Sequence, residues 1–287
     1  MAIDAATTAK WPAVGKGSWP NAGRREVRCR SWAECIRDAA EGKRFGIRAR
    51  NVYTLRVPSP FLTAAWRDLL LLNWRVDPAL LQPHVPAGTE LDPWDDGQWV
   101  SLVGFRFLDL AVKGVPALGH RDFPEINLRF YVRREVDGEV RRGVVFLHEL
   151  TPRRIVEWVA RAVYNEPYQT LPMRSAVSET ETRYELQQAG QWQGMAAKPT
   201  GDWRAPEPMG EFFIEHYWGY NRQPDGDSME YAVEHPTWCT RSAELARFDV
   251  DLKSIYGSEW AQVMGAAPDS VVLADGSEVA VFSGKRI

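Results

Sequence analysis

Lysine is scarce in this chain of 287 residues, because only seven of its 35 basic residues are lysines and the others are arginines. Any reaction that needs a lysine amine is therefore limited to seven positions. Cysteine is also scarce: the three cysteines include no CxxC pair, so neither a disulfide framework nor a cysteine zinc site is indicated. A cytoplasmic location is the expectation that follows from this cysteine usage.

The chain also lacks an excess of positive charge and any long apolar run. Its 35 basic residues face 38 acidic ones, and the net charge of -3 argues against nucleic acid and membrane surfaces as partners. No stretch approaches the roughly eighteen uninterrupted apolar residues of a membrane-spanning helix, and the N-terminus lacks the apolar run of a secretion signal.

The motifs of several enzyme classes are absent as well. The sequence contains no GxGxxG, GxxxxGKS/T, GxSxG or HExxH pattern. It therefore gives no support to a nucleotide-binding fold, a hydrolase nucleophile elbow or a zincin.

What is present is enough apolar material, 45% of residues, for one large domain or two small ones. Residues 1–23 are rich in Ala, Thr, Gly and Pro without periodicity and predict a flexible arm. The capping-box pair Ser31 and Glu34 predicts a short helical extension within residues 24–55. The continuous pattern of residues 56–287 predicts the main domain.

Most of this main domain reads as strands joined by hairpins, which favours an α+β, mainly antiparallel β, barrel-like architecture with few helices. Residues 99–108 predict a strand with Phe105 and Arg106 on opposite faces. The pair Asp275-Gly276 predicts a final hairpin turn. The segment TPRRIVEWVARAVYNEP predicts the main helix, with an apolar stripe packed on the core until Pro167.

A sharper hairpin signal is the Asp137-Gly138 turn between two apolar segments. Centring the hairpin on this turn pairs Phe130 with Val145 on an apolar face. The same register places His148 directly opposite Asn127 on the other face.

That other face carries the strongest candidate site: a carboxylate, an amide, a guanidinium and an imidazole, supplied by Glu125, Asn127, Arg129 and His148. If the face lines a barrel interior, Glu125 or His148 could act as acid or base, and Arg129 could hold a substrate carboxylate. A solvated outer face is the other interpretation, because antiparallel sheets commonly have one wet face.

A second hairpin, centred on Asp225-Gly226, pairs His216 with His235. Two imidazoles can bind a metal ion, but no third ligand is close in sequence, so a packed or pH-sensitive pair is favoured and no metal site is predicted. Trp218 and Tyr217, beside His216, fit the wall of a pocket for a flat or apolar ligand, and core filling explains them equally well.

Taken together, several segments resemble the YqjF-like family of uncharacterised bacterial proteins over about residues 58–240. The resemblance implies the acetoacetate decarboxylase-like fold, a β barrel-like domain with an interior cavity and flanking helices, but no particular reaction. The segments are FLTAAWRDLLLLNWRVDPALLQPHVPAG, WVSLVGFRFLDL, GHRDFPEINLRFYVRR, RGVVFLHELTPRR, YNEPYQTLPM, EHYWGYNRQ and EYAVEHPTW.

Enzymes that define this fold form a Schiff base through a lysine in a GxPKK-like segment. The similar segment here reads NEPYQ, with Tyr168 and Gln169 at the two lysine positions, and no lysine lies between Lys113 and Lys198. A Schiff base requires a primary amine, so the resemblance implies a cavity without the decarboxylase mechanism. The family's strand glutamate corresponds to Glu125.

We therefore expect a lyase-, isomerase- or cyclase-type enzyme acting on a small carbonyl- or carboxylate-bearing molecule, without a cofactor. Glu125 would be the acid or base, Arg129 or Arg106 the carboxylate clamp, and Tyr168 a donor to a developing oxyanion. One alternative is a non-catalytic protein that binds a small ligand in the same cavity. Another is a Schiff-base enzyme that uses Lys113. The sequence leaves the oligomeric state open.

Overall fold

The computed structural model describes residues 59–287, and the predicted segments 1–23 and 24–55 lie outside them. No helix in the described residues is long and apolar enough to cross a membrane. The fifteen strands of this part are β1 Leu62–Val76, β2 Glu90–Leu91, β3 Gln98–Val112, β4 Val115–Pro116, β5 Phe123–Val136, β6 Glu139–Thr151, β7 Tyr168–Thr170, β8 Met173–Val177, β9 Thr182–Gln188, β10 Gln191–Pro199, β11 Trp218–Arg222, β12 Ser228–Glu234, β13 Thr240–Phe248, β14 Ser270–Val281 and β15 Lys285–Arg286.

Helices are few and short, as the sequence predicts. The first follows Asp77, whose carboxylate accepts from the Ala79 backbone N–H at 2.8 Å, a side-chain N-cap. Together with a 3-10 turn at Gln82–His84, the helices are α1 Pro78–Leu81, α2 Arg154–Tyr164, α3 Pro208–Ile214, α4 Leu252–Tyr256 and α5 Ser258–Met264.

The strands form one sheet, in the order β15-β12-β11-β6-β5-β3-β1-β14-β13-β10-β9-β8. Nearly all neighbours are antiparallel, and the parallel pairs are β11 with β6 and β6 with β7. An additional pairing, Val233 with Val281, links β12 to β14, which lie far apart along this path. The predicted mainly antiparallel α+β class is confirmed.

Two apolar cores lie on opposite faces of the central strands. Along β3, Leu102 faces a core shared with β9, β10, α4 and α5, whereas Val103 and Phe105 face a second core shared with α3. Because side chains alternate along a strand, a strand covered on both faces is apolar at nearly every position. The same reason explains the run Leu69 to Leu72 in β1, which is buried throughout.

The β5–β6 hairpin has the predicted turn but a different register near its far end. Asp137 and Gly138 adopt the left-handed backbone of a two-residue turn, and Phe130 pairs with Val145 as expected. Between Phe146 and His148 the register shifts by one residue, because Leu147 is an extra residue in β6. His148 therefore pairs with Leu128, and the predicted pairing of His148 with Asn127 is wrong.

The β11–β12 hairpin is also one residue away from its predicted register. Tyr220 pairs with Glu230 and Trp218 with Ala232, since the loop at Asp225 is longer than a two-residue turn. His216 and His235 are therefore not a cross-strand pair. Within residues 59–287 no group of three or more His, Cys, Asp or Glu is placed to hold a metal ion.

The predicted hairpin at Asp275-Gly276 is wrong: both residues lie inside β14. Gly276 pairs with Arg67 of β1 at a bulge, and its φ of +73° suits glycine. A Cβ on Gly276 would lie 2.0 Å from the Trp66 carbonyl oxygen. Glycine at this position therefore permits the close approach of β14 to β1.

Helix α2 is shorter than predicted and differently placed. It ends at Asn165, a left-handed residue with φ of 58°, before Pro167. Most of its apolar stripe is not packed in a core: Val156 contacts the second core, but Ile155 is 44% exposed and Val163 43% exposed. Trp158 is 67% exposed on the same short helix. This helix therefore lies at the edge of the domain.

Cys239, the residue before β13, is disulfide-bonded. Its backbone N–H also donates to the Asp275 carboxylate at 2.9 Å, which ties the start of β13 to β14. The cysteine spacing, which indicated no disulfide framework, gave no signal for this single bond. The cytoplasmic location stays a prediction.

Candidate functional site

A pocket of about 340 Å³ lies between the central strands and α2. Val156, Val159 and Ala160 of α2 form part of its wall, which explains why the apolar stripe of this helix is not in a core. The remaining wall is mainly aromatic and aliphatic, with phenylalanines from β3, β5 and β6. The polar side chains are Glu125, Asn127, Arg129, Glu149, Glu166, Tyr164, Tyr168, Tyr231, His120, His216 and His235.

One polar row enters the pocket because of strand alternation. Along β5, Glu125, Asn127 and Arg129 share a face, and each is two residues from the next. The β3–β5 register pairs Phe105 with Glu125 and Val103 with Asn127, so the row faces the pocket beside apolar neighbours. The structure thus brings this part of the predicted row to the pocket rather than to solvent.

Glu125 is buried, with 2% of its surface exposed, and accepts a hydrogen bond from the Tyr168 hydroxyl at 2.8 Å. Asn127 Nδ2 donates to its other oxygen at 3.4 Å. Burial is the main cause, and the charge of the nearby Glu166 a smaller one, that raises the pKa of Glu125 to about 8 against the two hydrogen bonds. A carboxyl with a pKa in this range can give or take a proton near neutral pH.

Glu149 is a second buried carboxyl in this wall, and the Leu147 bulge places it there. The shifted register pairs Glu149 with Asn127, and β7 runs parallel to β6 so that Glu149 also pairs with Tyr168. Burial raises the pKa of Glu149 well above its ordinary value, and the charges of Glu166 and Glu125 raise it further.

Glu166, in the link between α2 and β7, is the third carboxyl. It accepts from the Tyr231 hydroxyl at 2.8 Å, and burial raises its pKa to about 7. Tyr231 reaches it across Gly219, its β11 partner: a Cβ at this glycine would lie 2.0 Å from the Tyr231 ring. The glycine therefore leaves the space that the Tyr231 side chain occupies.

Basic groups lie further along the pocket. Arg129 Nη2 donates to the Phe213 carbonyl at 2.9 Å, while its buried Nε has no protein partner. Burial lowers the pKa of His216 to about 4, and burial likewise lowers the pKa of His235 to about 4. Both imidazoles are therefore neutral near pH 7.

Three predicted site residues, Arg106, His148 and Tyr217, lie outside the wall of this pocket. His148 packs against the Tyr256 ring, with centroids 5.5 Å apart, and Arg106 donates to Asp68 at 2.7 Å. The Tyr217 hydroxyl donates to Glu215. Strand alternation explains the placement of Arg106, whose neighbours Phe105 and Phe107 line the pocket, and the Leu147 bulge explains that of His148. Trp218, by contrast, lines it.

No lysine lines the pocket in the part of the chain that the structure describes. Lys113 lies in an exposed turn, with its Nζ 5.9 Å from the Phe61 ring centroid. Phe61 itself is part of the pocket wall. Lys113 is thus near the pocket without being part of it.

Sequence reasoning missed Glu149, Glu166 and Tyr231. For Glu149 no local signal existed, because its orientation depends on the extra residue Leu147. For Glu166 the signal was its position two residues before Tyr168: the structure places a tight turn there, in which the Tyr168 backbone N–H donates to the Glu166 carbonyl at 2.9 Å. Tyr231 could be inferred only after the β11–β12 register was known.

Comparison with solved structures shows the acetoacetate decarboxylase-like fold. An acetoacetate decarboxylase from Legionella pneumophila matches 85% of this chain and 93% of its own, with a TM-score of 0.57 and 16% identity. The enduracididine biosynthesis enzyme MppR, complexed with pyruvate, matches 82% of this chain and 92% of its own, with a TM-score of 0.55 and 14% identity.

Among curated proteins, the uncharacterized protein YqjF of Bacillus subtilis is 32% identical over 111 residues. The match covers 38% of this chain and 44% of YqjF, which is less than half the length of that relative. The family model of DUF2071, described as an uncharacterized conserved protein, matches residues 63–278. The chain described here therefore belongs to the DUF2071 family.

Proposed function

We propose that this protein is a small-molecule enzyme of lyase, isomerase or cyclase type that works by acid–base chemistry and without a Schiff-base lysine. The observation that carries the proposal is the buried Glu125 carboxyl, hydrogen-bonded to Tyr168 at 2.8 Å in an apolar pocket. Carboxyls with such perturbed pKa values are concentrated at catalytic sites.

The proposed roles follow from the geometry. At neutral pH a carboxyl with a pKa of about 8 holds its proton for most of the time, so Glu125 would protonate the substrate or, after ionising, remove a proton. The Tyr168 hydroxyl stays protonated because burial raises its pKa well above 10. Its single proton would orient Glu125 before the reaction and turn to a developing oxyanion as the reaction proceeds. Arg129 would hold a substrate carboxylate through its unpartnered Nε.

An interior cavity closed by the strands would give this chemistry a dry environment. The pairing of β12 with β14 supports such a barrel, since it joins the β11 side of the sheet to the β1 side. A water-poor cavity strengthens every electrostatic contact inside it. A small-molecule substrate fits the pocket volume of about 340 Å³.

The test is a turnover screen of small keto acids, enols and hydroxy acids with wild type, Glu125→Gln and Tyr168→Phe. Glu244→Gln is the matched control, because Glu244 lies on β13 and is exposed outside the pocket. We expect the two pocket variants to retain ligand binding and to lose turnover by at least about 100-fold. Equal turnover in Glu125→Gln and wild type would refute the assigned role.

Two other outcomes decide against an enzyme of this type. If no substrate turns over and all variants bind the same ligand with wild-type affinity, the protein is a binding protein. If borohydride in the presence of pyruvate or acetoacetate traps a covalent adduct, a lysine takes part after all, and Lys113→Arg identifies whether it is the one near Phe61.

A further inference from the structure

Glu125, Glu149 and Glu166 form an acidic wall that no basic side chain balances. None of the three carboxyls forms an ion pair within residues 59–287, although all line one pocket and are at most 5% exposed. Elsewhere in the fold buried acids do have basic partners: Glu230 contacts Arg134 and Arg141, and both lie within 3 Å of it. The acidic wall is therefore an exception: without a cation its carboxyls avoid charge by holding protons, and a cation from outside the chain would pair with their ionised forms.

Unfilled acceptors point in the same direction. Glu149 Oε2, Glu166 Oε2 and the Asn127 carbonyl Oδ1 are buried without a hydrogen-bond partner. Asn127 is 2% exposed and carries no charge, so its free oxygen is an observation separate from the acidic cluster. All three atoms belong to residues of the pocket wall. A ligand that satisfies them must supply several hydrogen-bond donors at one end.

We propose that the ligand of this pocket is an organic cation, a protonated amine or amidine on a compact apolar body, whose nitrogen binds Glu149, Glu166 and the Asn127 carbonyl. This inference rests on the proposed function for the pocket's identity as a substrate site, and it adds the substrate class. Glu125 precedes Asn127 by two residues on β5, and Tyr168 pairs with Glu149. Both side chains then lie next to the group that carries the nitrogen.

The rest of the wall suits such a cation. The aromatic rings of Tyr164, Tyr231 and Trp218 line the pocket, and a cation gains attraction from ring faces within about 6 Å. The phenylalanines of β3, β5 and β6 give the apolar body its contact surface. Arg129 lies two positions beyond Asn127 on β5, away from the proposed nitrogen site, so a substrate with an additional carboxylate would still have a partner.

Binding of a cation must displace protons from the acidic wall. The titratable groups around the site are Glu125 from β5, Glu149 from β6, Glu166 and Tyr168 around β7, Tyr164 from α2 and Tyr231 from β12. The same pocket wall also contains Arg129, His120, His216 and His235. The tyrosines stay protonated, since burial raises the pKa of each. Near pH 7 Glu125 holds its proton for most of the time and Glu166 for about half of it, so a cation that pairs with the ionised carboxyls binds with release of protons and its affinity rises with pH.

The test is titration calorimetry of the full chain with three probes of similar shape: benzylamine, benzyl alcohol and phenylacetate. We expect benzylamine to bind at least about tenfold more tightly than the other two. Its affinity should rise by up to about tenfold per pH unit between about pH 6 and about pH 8, where it stays protonated. Buffers with different ionisation enthalpies should report about one proton released per bound amine.

Variants locate the binding site. Glu149→Gln and Glu166→Gln should each weaken benzylamine by about tenfold or more and leave benzyl alcohol unchanged, while the control Glu244→Gln should change neither. The two substitutions keep the side-chain shape and are made separately, so that loss of folding in one leaves the other as a test. Thermal unfolding checks the fold of each.

Several results would overturn the inference. Tighter binding of phenylacetate, equal binding of amine and alcohol, or no proton release would each show that the acidic wall does not bind a cation. Binding of Mg²⁺ or Zn²⁺ alone that both glutamine variants abolish would show a metal site instead. None of these results contradicts the proposed acid–base function if turnover depends on Glu125. Amine binding without any turnover would instead support the cation site and contradict the proposal that the protein is an enzyme.

Discussion

Burial of Glu125 should make the stability of the protein fall as pH rises, and Glu125→Gln should remove that loss. An unfolded glutamate ionises near pH 4.5, whereas the folded protein keeps the Glu125 proton until about pH 8. Between these values the folded state binds more protons than the unfolded state, so the free energy of unfolding falls by about 1.4 kcal/mol per pH unit. Over the whole interval the loss is about 5 kcal/mol.

Glutamine has nearly the same shape and does not titrate, and its side-chain oxygen can still accept from Tyr168. We therefore expect Glu125→Gln to be close to wild type in stability near pH 5. Near pH 8 the variant should be more stable by several kcal/mol. It also removes the charge that Glu125 exerts on Glu149, which acts in the same direction.

The assay is urea unfolding of wild type, Glu125→Gln and the exposed control Glu244→Gln at about pH 5, 6, 7 and 8. Subtracting the control curve removes the pH dependence of the rest of the molecule. If the wild-type and Glu125→Gln curves run parallel, the carboxyl ionises normally in the folded protein, and the acid–base role proposed for it loses its physical basis.

Three further substitutions test other parts of the structure. Arg142→Met leaves the buried Asp92 carboxylate without the guanidinium that contacts it at 2.6 Å. Urea unfolding at pH 7 should show a free energy of unfolding lower by about 2–4 kcal/mol, and no change would mean that Asp92 is not buried as an ion. Gly219→Ala places a Cβ 2.0 Å from the Tyr231 ring and should cost about 1–3 kcal/mol, a loss that Tyr231→Leu in the same chain should largely remove. Trp158→Gln should change the free energy of unfolding by less than about 0.5 kcal/mol, because the indole is 67% exposed. A larger destabilisation, measured by thermal unfolding, would show that this face of α2 is covered in solution.

Much of the fold follows from local pattern. The buried run in β1, the cap at Asp77 and the Asp137-Gly138 turn are all predictable, because each depends on neighbours in sequence. The Asp275-Gly276 pair carries an equally strong turn signal and yet lies inside β14. Its backbone conformation serves a bulge against β1, more than 200 residues away in sequence, and local chemistry does not distinguish the two uses.

The pocket shows the same limit. Glu125, Asn127 and Arg129 could be identified because alternation within a single strand fixes their common face. The pocket-facing residues of β6 could be predicted only if the extra residue Leu147 were known. Because of this bulge, Glu149 rather than His148 lies in the pocket wall. That exchange alters the chemistry of the site, since an imidazole beside Glu125 would have offered a counter-charge and a third carboxyl offers the opposite.

The residue at position 168 connects the missing lysine with the perturbed acids. In the segment that resembles the GxPKK-like motif, Tyr168 occupies a lysine position and points its hydroxyl at Glu125. A lysine there would place a positive charge among the carboxyls and hold their pKa values down. A tyrosine gives a hydrogen bond without a charge, so burial dominates and the pKa values of Glu125 and Glu166 rise to about 8 and about 7. The resemblance thus implies that Tyr168 both withholds the amine needed for a Schiff base and leaves carboxyls that exchange protons near neutral pH, and the proposed cation would supply the missing positive charge of the site.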